Sequence, residues 1–272
     1  MAARRTKNKS RAAPKKARGA KKTAKVPSGV LIAFEGIDGS GKTTQAAMLQ
    51  AWGKGLGLEV ISTKEPTTGP WGRKIRDSKF TQRLPPADEL QAFVNDRREH
   101  VASEIVPALK RGALVIIDRY YYSTVAYQGA RGLEPREVLA LNREFAPIPD
   151  LVFLLDLDPK AGLERVTTRG AGQDLFETLD ELTKARAIFQ QLARTDRHIL
   201  ALDAARKIDD VHREVIFELV RGPMFGRLRE GDRLKIPEQG YELLRTASDL
   251  AKDPSVPLQE KVRRLWRHGQ RK

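Results

Sequence analysis

Residues 34–45 read FEGIDGSGKTTQ, and this stretch decides the fold. It matches the phosphate-loop pattern G-x-x-x-x-G-K-[ST] at Gly36, Gly41, Lys42 and Thr43. The apolar run VLIAF leads into it and the helical stretch TTQAAMLQAWGK leaves it. A strand before and a helix after are the context in which such a loop cradles a polyphosphate.

The side chains of the loop predict the chemistry that it serves. Small residues let backbone amides point at phosphate oxygens, Lys42 adds a mobile cation, and Thr43 is placed to bind Mg²⁺. We therefore expect a nucleoside triphosphate, ATP, as the phosphate donor, with Mg²⁺ as its ion. The predicted donor site consists of Gly36, Asp38, Gly39, Ser40, Gly41, Lys42, Thr43 and Thr44.

The composition excludes several classes of protein. The chain has 272 residues and no cysteine, so disulfides, thiolate zinc sites and thiol catalysis are ruled out. Apolar runs such as VLIAF and LVFLL fall far short of the roughly 18 residues that a membrane-spanning helix needs. We expect a soluble, cytoplasmic protein without membrane contact.

Positive charge is concentrated at the two ends of the chain. Residues 1–28 hold 11 basic residues and no acid, and residues 221–272 hold 13 basic and 7 acidic residues. The segment 29–220 holds 26 basic and 28 acidic residues and is close to neutral. Any contact with nucleic acid must therefore come from the ends.

The organisation follows from these charges. We expect residues 1–28 to be a disordered basic tail and 221–272 to be a helical basic extension of unknown role. The tail is either a solvated charged segment or one that attracts a polyanion such as nucleic acid without sequence preference. Both interpretations stay open.

Between the two ends, apolar runs alternate with helical stretches. The predicted strands are VLIAF, LEVIS, ALVIID, LVFLLDLD and HILALDA, with helices between them and after the last. Strands that alternate with helices form a parallel sheet covered on both faces. The fold class is therefore α/β, a three-layer sandwich of the P-loop NTPase type with a five-stranded parallel sheet.

Two pairs of side chains, each spaced four residues apart on a predicted helix, fit ligand contacts, and each pair taken alone fits an ordinary core or solvated helix face equally well. Phe93 and Arg97 would present a ring and a guanidinium from one face, which suits a nucleobase. Arg165 and Arg169 lead into the Gly-rich RGAGQD and suggest a mobile lid near 163–177 that brings cations to transferring phosphates.

Asp118 and Arg119 end the strand ALVIID, at the sheet edge where ligands of open α/β sheets collect. The carboxylate can orient Mg²⁺-bound water or a sugar hydroxyl, and the guanidinium can hold phosphate oxygens with two hydrogen bonds. The predicted metal ligands are thus Thr43 and Asp118, and the predicted catalytic residues are Lys42, Asp118, Arg119, Arg165 and Arg169.

Five segments in fixed order, from about residue 30 to about 220, resemble the thymidylate kinase family. They are FEGIDGSGKTTQ, KEP, F-x-x-D-R-x-x-H, DRY-x-x-S-x-x-AYQG and the arginine-bearing lid. The resemblance implies that ATP phosphorylates dTMP to dTDP, in a homodimer. Gly39 stands where one branch of the family has an arginine, so this chain resembles the branch whose catalytic arginines come from the lid.

The resemblance also implies roles for acceptor-site residues. Phe93 would stack on thymine, Arg97 would contact the base, Asp38 would approach the sugar hydroxyl, and Arg119 would hold the acceptor phosphate. Tyr127 would crowd a 2′-hydroxyl, and Pro66 matches a proline that often follows a cis peptide. The implied substrate site is completed by Glu65, Ser123, Thr124 and Gln128.

The chain departs from the family where the usual TREPGGT reads TKEPTTGP. Lys64 replaces an arginine and cannot imitate its two-pronged phosphate contact. We add Arg73 to the predicted substrate site as a compensating cation, with Arg76 beside it.

Two other functions compete with this prediction. A deoxynucleoside kinase would need a base such as Glu65 to deprotonate a 5′-hydroxyl, and a nucleotide-dependent nucleic-acid-binding protein would use the basic ends without kinase activity. The histidines lack metal-ligand spacing and are interpreted as structural or surface residues: His100, His198, His212 and His268.

Overall fold

A computed structural model describes residues 29–78, 81–168 and 179–224, together with single positions between 242 and 264. Five parallel strands form one sheet in the order β2-β3-β1-β4-β5. They are β1 Val30–Glu35, β2 Val60–Lys64, β3 Leu114–Asp118, β4 Leu151–Asp156 and β5 Ile199–Asp203. The predicted α/β class and strand number are confirmed.

Nine α-helices are described, and they cover both faces of the sheet. They are α1 Lys42–Gly55, α2 Pro70–Ser78, α3 Pro86–His100, α4 Val106–Arg111, α5 Tyr121–Ala130, α6 Pro135–Arg143, α7 Pro159–Thr168, α8 Leu179–Thr195 and α9 Ile208–Leu219. Two π-helical turns, Val101–Ile105 and Val220–Met224, follow α3 and α9. Within the described residues, no helix is long and apolar enough to cross a membrane.

The central strands are apolar on both faces because helices cover both. Val30, Ile32 and Phe34 of β1 join the core cluster under α1 and α9, whereas Leu31 and Ala33 join the cluster under α4, α5 and α8. β1 is buried along its whole length. A strand buried on both faces reads as a continuous apolar run, which is why VLIAF predicts it well.

The register of the strands brings their carboxyl ends to one edge. Phe34 pairs with Asp118, and Lys64 lies beside Asp118 on the other side. The phosphate loop therefore begins next to the residues that end β2 and β3. The predicted sites meet at this edge, as open parallel sheets require.

Three predicted segments fall partly or wholly outside the described residues. The lid near 163–177 is described only as far as Thr168, so Arg169 lies outside. The tail 1–28 lies outside entirely, and of the extension Leu250 packs against a core cluster. The division into tail, domain and extension stays a prediction.

Candidate active site

The phosphate loop leaves β1 through three glycines with positive φ, at 136° for Gly36, 79° for Gly39 and 96° for Gly41. Glycine adopts this backbone conformation without a steric penalty. The Nζ atom of Lys42 donates to the Ile37 carbonyl at 2.8 Å, and the side chain is buried. A lysine cation is therefore enclosed by the loop.

The hydroxyl of Thr43 donates to Oδ2 of Asp118 at 2.5 Å. The two predicted metal ligands are thus adjacent, at the first turn of α1 and the end of β3. Mg²⁺ prefers oxygen ligands and is usually held by one or two protein groups together with substrate phosphates. The described residues contain no group of three His, Cys, Asp or Glu that would cage an ion, and this donor pair fits the phosphate-assisted type of site.

Arg119 lies between the phosphate loop and the start of α5. Its Nη1 atom donates to the Gly36 carbonyl at 3.2 Å and to Ser123 Oγ at 3.0 Å, and Nη2 pairs with the Asp38 carboxylate. The guanidinium carbon lies 5.2 Å from the centre of the Tyr127 ring. Within the described residues, Arg119 alone among non-glycine residues has a positive φ, 68°.

A cavity opens on the far side of Arg119, between β2, α3 and α5. Of the predicted substrate residues it is lined by Asp38, Glu65, Pro66, Phe93, Arg97, Arg119, Ser123, Thr124, Tyr127 and Gln128. We call it the acceptor cavity. The Glu65–Pro66 peptide is cis, as the family resemblance implied.

Arg97 is held rigidly at the base of this cavity. Its guanidinium donates to Glu65 Oε2 at 2.8 Å from Nε, to Asn142 Oδ1 at 2.5 Å and to Thr124 Oγ1 at 3.0 Å. The side chain is 1% exposed and its charged end lies 5.5 Å from the Tyr120 ring centre. Buried arginine is tolerated because its donors are paired.

Both carboxylate oxygens of Glu65 are engaged, one by Arg97 and the other by His100. One carboxylate oxygen accepts from Arg97 and the other lies 3.0 Å from Nδ1 of His100. Burial lowers the pKa of His100, but the hydrogen bond and charge of Glu65, with help from Glu104, outweigh burial and raise it. His100, interpreted from the sequence as structural, thus supports an acceptor-cavity residue.

Gln128 lines the acceptor cavity and has one acceptor atom without a partner in the described part of the chain. Its Nε2 atom donates to Glu89 Oε2 at 2.6 Å, which fixes the amide orientation because a carboxylate only accepts. Glu89 is held in turn by Arg131. The carbonyl oxygen Oε1 of Gln128 is buried and has no hydrogen-bond partner among the described residues. A ligand N–H would satisfy it.

Arg73 lies outside the described lining of the acceptor cavity. Its Nη1 atom donates to the Thr68 carbonyl at 2.8 Å, while Arg76 donates to the carbonyls of Pro66 and Thr67. Thr67 is held further by the buried Asp96. In this geometry both arginines stabilise the turn that replaces Gly-Gly.

A second cavity opens on the opposite side of the loop. Ser40, Gly41 and Thr44 line it together with Arg165 and the turn after β5. Arg165 Nη1 donates to the carbonyls of Ala204 at 3.2 Å and Gly39 at 3.4 Å. The described part of the predicted lid therefore contacts the loop directly. We call this space the donor cavity.

Several residues at the site carry no signal in the sequence. Asn142 in α6 and Glu89 in α3 hold Arg97 and Gln128 from distant parts of the chain. Arg83 lines the acceptor cavity, and so does Tyr120, which belongs to the DRY motif but has no role predicted from the sequence. The sequence places Glu35 inside the quoted motif but gives no indication of its contacts.

Comparison with known proteins gives a result that agrees with the geometry of the site. A family model described as thymidylate kinase matches residues 34–215. A thymidylate kinase of Xanthomonas campestris pv. campestris is 48% identical over 205 residues, 75% of this chain and 88% of the relative. One of Xylella fastidiosa is 47% identical over 175 residues, 64% of this chain and 80% of the relative.

Solved structures give the same result. The crystal structure of thymidylate kinase from Ehrlichia chaffeensis matches with a TM-score of 0.58 and 32% identity. The match covers 71% of this chain and 99% of that chain. The similarity therefore extends over the whole of the solved enzyme.

Proposed function

The chain belongs to the thymidylate kinase family, and from that premise we propose how its described residues carry a phosphoryl group from ATP to dTMP. The protein is a nucleoside monophosphate kinase, and its product is dTDP. One observation carries the residue assignments: Arg119 bridges the carbonyl of Gly36 in the phosphate loop and Ser123 in the acceptor cavity. A cation placed between the two sites can hold an acceptor phosphate in line with the donor.

On the donor side, the loop amides and Lys42 hold the β- and γ-phosphates, and the nucleoside enters the donor cavity. Thr43 and Asp118 would hold Mg²⁺, which when bound neutralises charge on the phosphates. Arg165 approaches the loop from α7, and we assign Arg169, outside the described residues, to the same task. Lys42 and Arg165 contact the loop, so their charges are available to the phosphates as negative charge develops in the transition state.

On the acceptor side, the dTMP phosphate is itself the nucleophile and needs no general base. Arg119 holds it, while Phe93 stacks on the base. Gln128 Oε1 accepts the thymine N3–H, which explains an acceptor left open in a buried position. Cytosine carries no hydrogen at N3, so dCMP would set two acceptors against each other.

Contacts of Glu65 argue against a deoxynucleoside kinase. A base for a 5′-hydroxyl must be free to take a proton, but both oxygens of Glu65 are committed to Arg97 and His100. A nucleic-acid-binding protein without kinase activity is disfavoured because the phosphate loop, Arg119 and the acceptor cavity are assembled together. The homodimer and the attraction of the basic ends to polyanions rest on resemblance and charge and stay predictions.

A panel of acceptors tests the proposal. With ATP and Mg²⁺ in a coupled assay, we expect dTMP to be phosphorylated with a kcat/KM at least about a hundredfold above dCMP or dGMP, because a missing or reversed hydrogen bond in a buried site costs that much. Thymidine should give no product. Turnover of thymidine in place of dTMP would overturn the proposal.

A further inference from the structure

Glu35 is a buried carboxylate that the mechanism above does not use. It is the last residue of β1, directly before the phosphate loop, and is 1% exposed. Oε1 accepts from the backbone N–H of Tyr120 at 2.9 Å and of Ser123 at 3.2 Å, and Oε2 accepts from the Ser123 hydroxyl at 2.5 Å. All three contacts lie at the start of α5.

These contacts replace the missing cap of α5. The N-cap residue Tyr120 makes no side-chain capping hydrogen bond of its own. The first amides of a helix need acceptors. In a capping box the N-cap side chain accepts from the amide of the third helical residue, and the side chain of that residue accepts from the N-cap amide. Here a carboxylate from another strand takes that role and also places negative charge at the positive end of the helix.

Ser123 transmits the effect of Glu35 to the guanidinium of Arg119. Its Oγ lies 2.5 Å from Glu35 and 3.0 Å from Arg119 Nη1. Arginine only donates and a carboxylate only accepts, so the single hydroxyl hydrogen points to Glu35 and a lone pair faces Arg119. The charge on Glu35 therefore sets the direction of this hydrogen-bond chain.

The backbone of Arg119 needs the same support. A positive φ costs a non-glycine residue on the order of 1–2 kcal/mol and persists only where neighbours enforce it. The Arg119 N–H donates to the Phe34 carbonyl at 3.0 Å, and the next N–H, of Tyr120, goes to Glu35. Consecutive residues of β1 thus fix consecutive amides around the strained position.

We propose that Glu35 is a positioning residue for Arg119: it holds the turn before α5 and orients the Ser123 hydroxyl so that the guanidinium faces the acceptor phosphate. The inference rests on the proposed function, since Arg119 must hold that phosphate. Glu35 touches neither substrate in this scheme. Its effect should appear in the binding of dTMP and not in that of ATP.

Glu35→Gln tests the proposal. The variant keeps the shape and a carbonyl oxygen for the two backbone amides, but its NH₂ group faces Ser123 Oγ and donates where the carboxylate accepted. We expect KM for dTMP to rise about tenfold, with KM for ATP changed less than about twofold. A merely structural role would lower the active fraction, and hence kcat, and leave KM for dTMP unchanged.

Ser123→Ala supplies the second arm. It breaks the same chain of hydrogen bonds while leaving the cap carboxylate in place. If both residues act through that chain, the KM for dTMP of the double variant should equal that of the single variant with the higher KM, and the two increases should not multiply. Increases in KM that multiply in the double variant would overturn the proposal. An unchanged KM for dTMP in Glu35→Gln would overturn it too. If Glu35→Gln does not fold, an unchanged KM for dTMP in Ser123→Ala decides against it. Wild-type turnover of dTMP is measured first, so that failure of the proposed function is recognised separately.

Discussion

Lys42 is the residue on which donor binding depends most directly. Lys42→Ala should lower kcat by at least about a hundredfold, because a cation aimed at transferring phosphates is lost from an enclosed site. The fold should survive, since the change removes a buried charge and its carboxylate partner Asp38 is only half-buried and keeps its ion pair with Arg119. Both kcat and the thermal midpoint are measured.

Lys54→Ala is the matched control for this change, because Lys54 lies on the same helix α1 and is exposed. Its kcat should equal that of wild type. A normal kcat in Lys42→Ala would contradict the assignment of the loop.

At the scale of residues, a sequence reveals the parts of a site that are close together in the chain. Lys42 and Thr43 belong to one motif, and Phe93 and Arg97 share one helix face. Glu35 is different, because its partners lie 85 and 88 positions away. Only the pairing of β1 with β3 brings them together, and no local pattern encodes such a contact.

At the scale of elements, apolar strands were predicted more reliably than helices. The predicted helical region between LEVIS and ALVIID ends in REHVASEIVPALKRG, residues 98–112, which the structure divides into the end of α3, a π-helical turn and α4. Pro107 has no N–H to give to the carbonyl four residues back, and the amide of Val106 bonds instead to Val101, five residues back. The short helices α2 and α6, which both begin at a proline, were not predicted as elements.

Gly39 couples the phosphate loop to helix α7. A Cβ atom at Gly39 would lie 2.3 Å from the carbonyl oxygen of Gly162, and φ there is 79°. Gly39→Ala must therefore push α7, with Arg165, away from the loop. We expect a loss of about 1–3 kcal/mol in the free energy of unfolding and a lower kcat, measured by denaturant titration and the coupled assay.

Gly41→Ala separates the steric clash from the backbone strain. Gly41 also has a positive φ, 96°, but a Cβ atom there meets nothing within 4 Å. This control should lose less stability than Gly39→Ala. Equal losses would show that the contact between the loop and α7 contributes nothing.

At the scale of the whole molecule, two buried ionisable groups on opposite faces of the sheet change the pH dependence of stability in opposite directions. Burial raises the pKa of Glu35 to about 7 from an ordinary 4.5, although Ser123 and Tyr120 donate to it. Burial lowers the pKa of His212, which lies beside Gln45 under the other core cluster, to about 4 from 6.5. Burial thus shifts each group towards its neutral form relative to the unfolded chain, and the Glu35 carboxylate that orients Ser123 is the main form above about pH 7.

The signs of the two contributions follow from proton binding. Between pH 4.5 and 7 the folded chain holds a proton on Glu35 that the unfolded chain releases, so this group's contribution to stability falls as pH rises. Between pH 4 and 6.5 the unfolded chain binds a proton on His212 that the folded chain does not, so this contribution falls as pH drops. In the shared window the two slopes oppose each other.

Removing either ionisable group should leave the pH dependence of stability that the other contributes. Relative to wild type, Glu35→Gln should gain stability as pH rises from 5 to 7, and His212→Gln should gain stability as pH falls from 6.5 to 4.5, each by on the order of 2 kcal/mol. The free energy of unfolding is measured by urea titration at half-unit steps of pH, and only the difference from wild type is interpreted, because other groups titrate equally in both. Curves parallel to that of wild type would mean that neither group is buried in the neutral form, and the sheet would then be more open to water at its loop edge than its packing indicates.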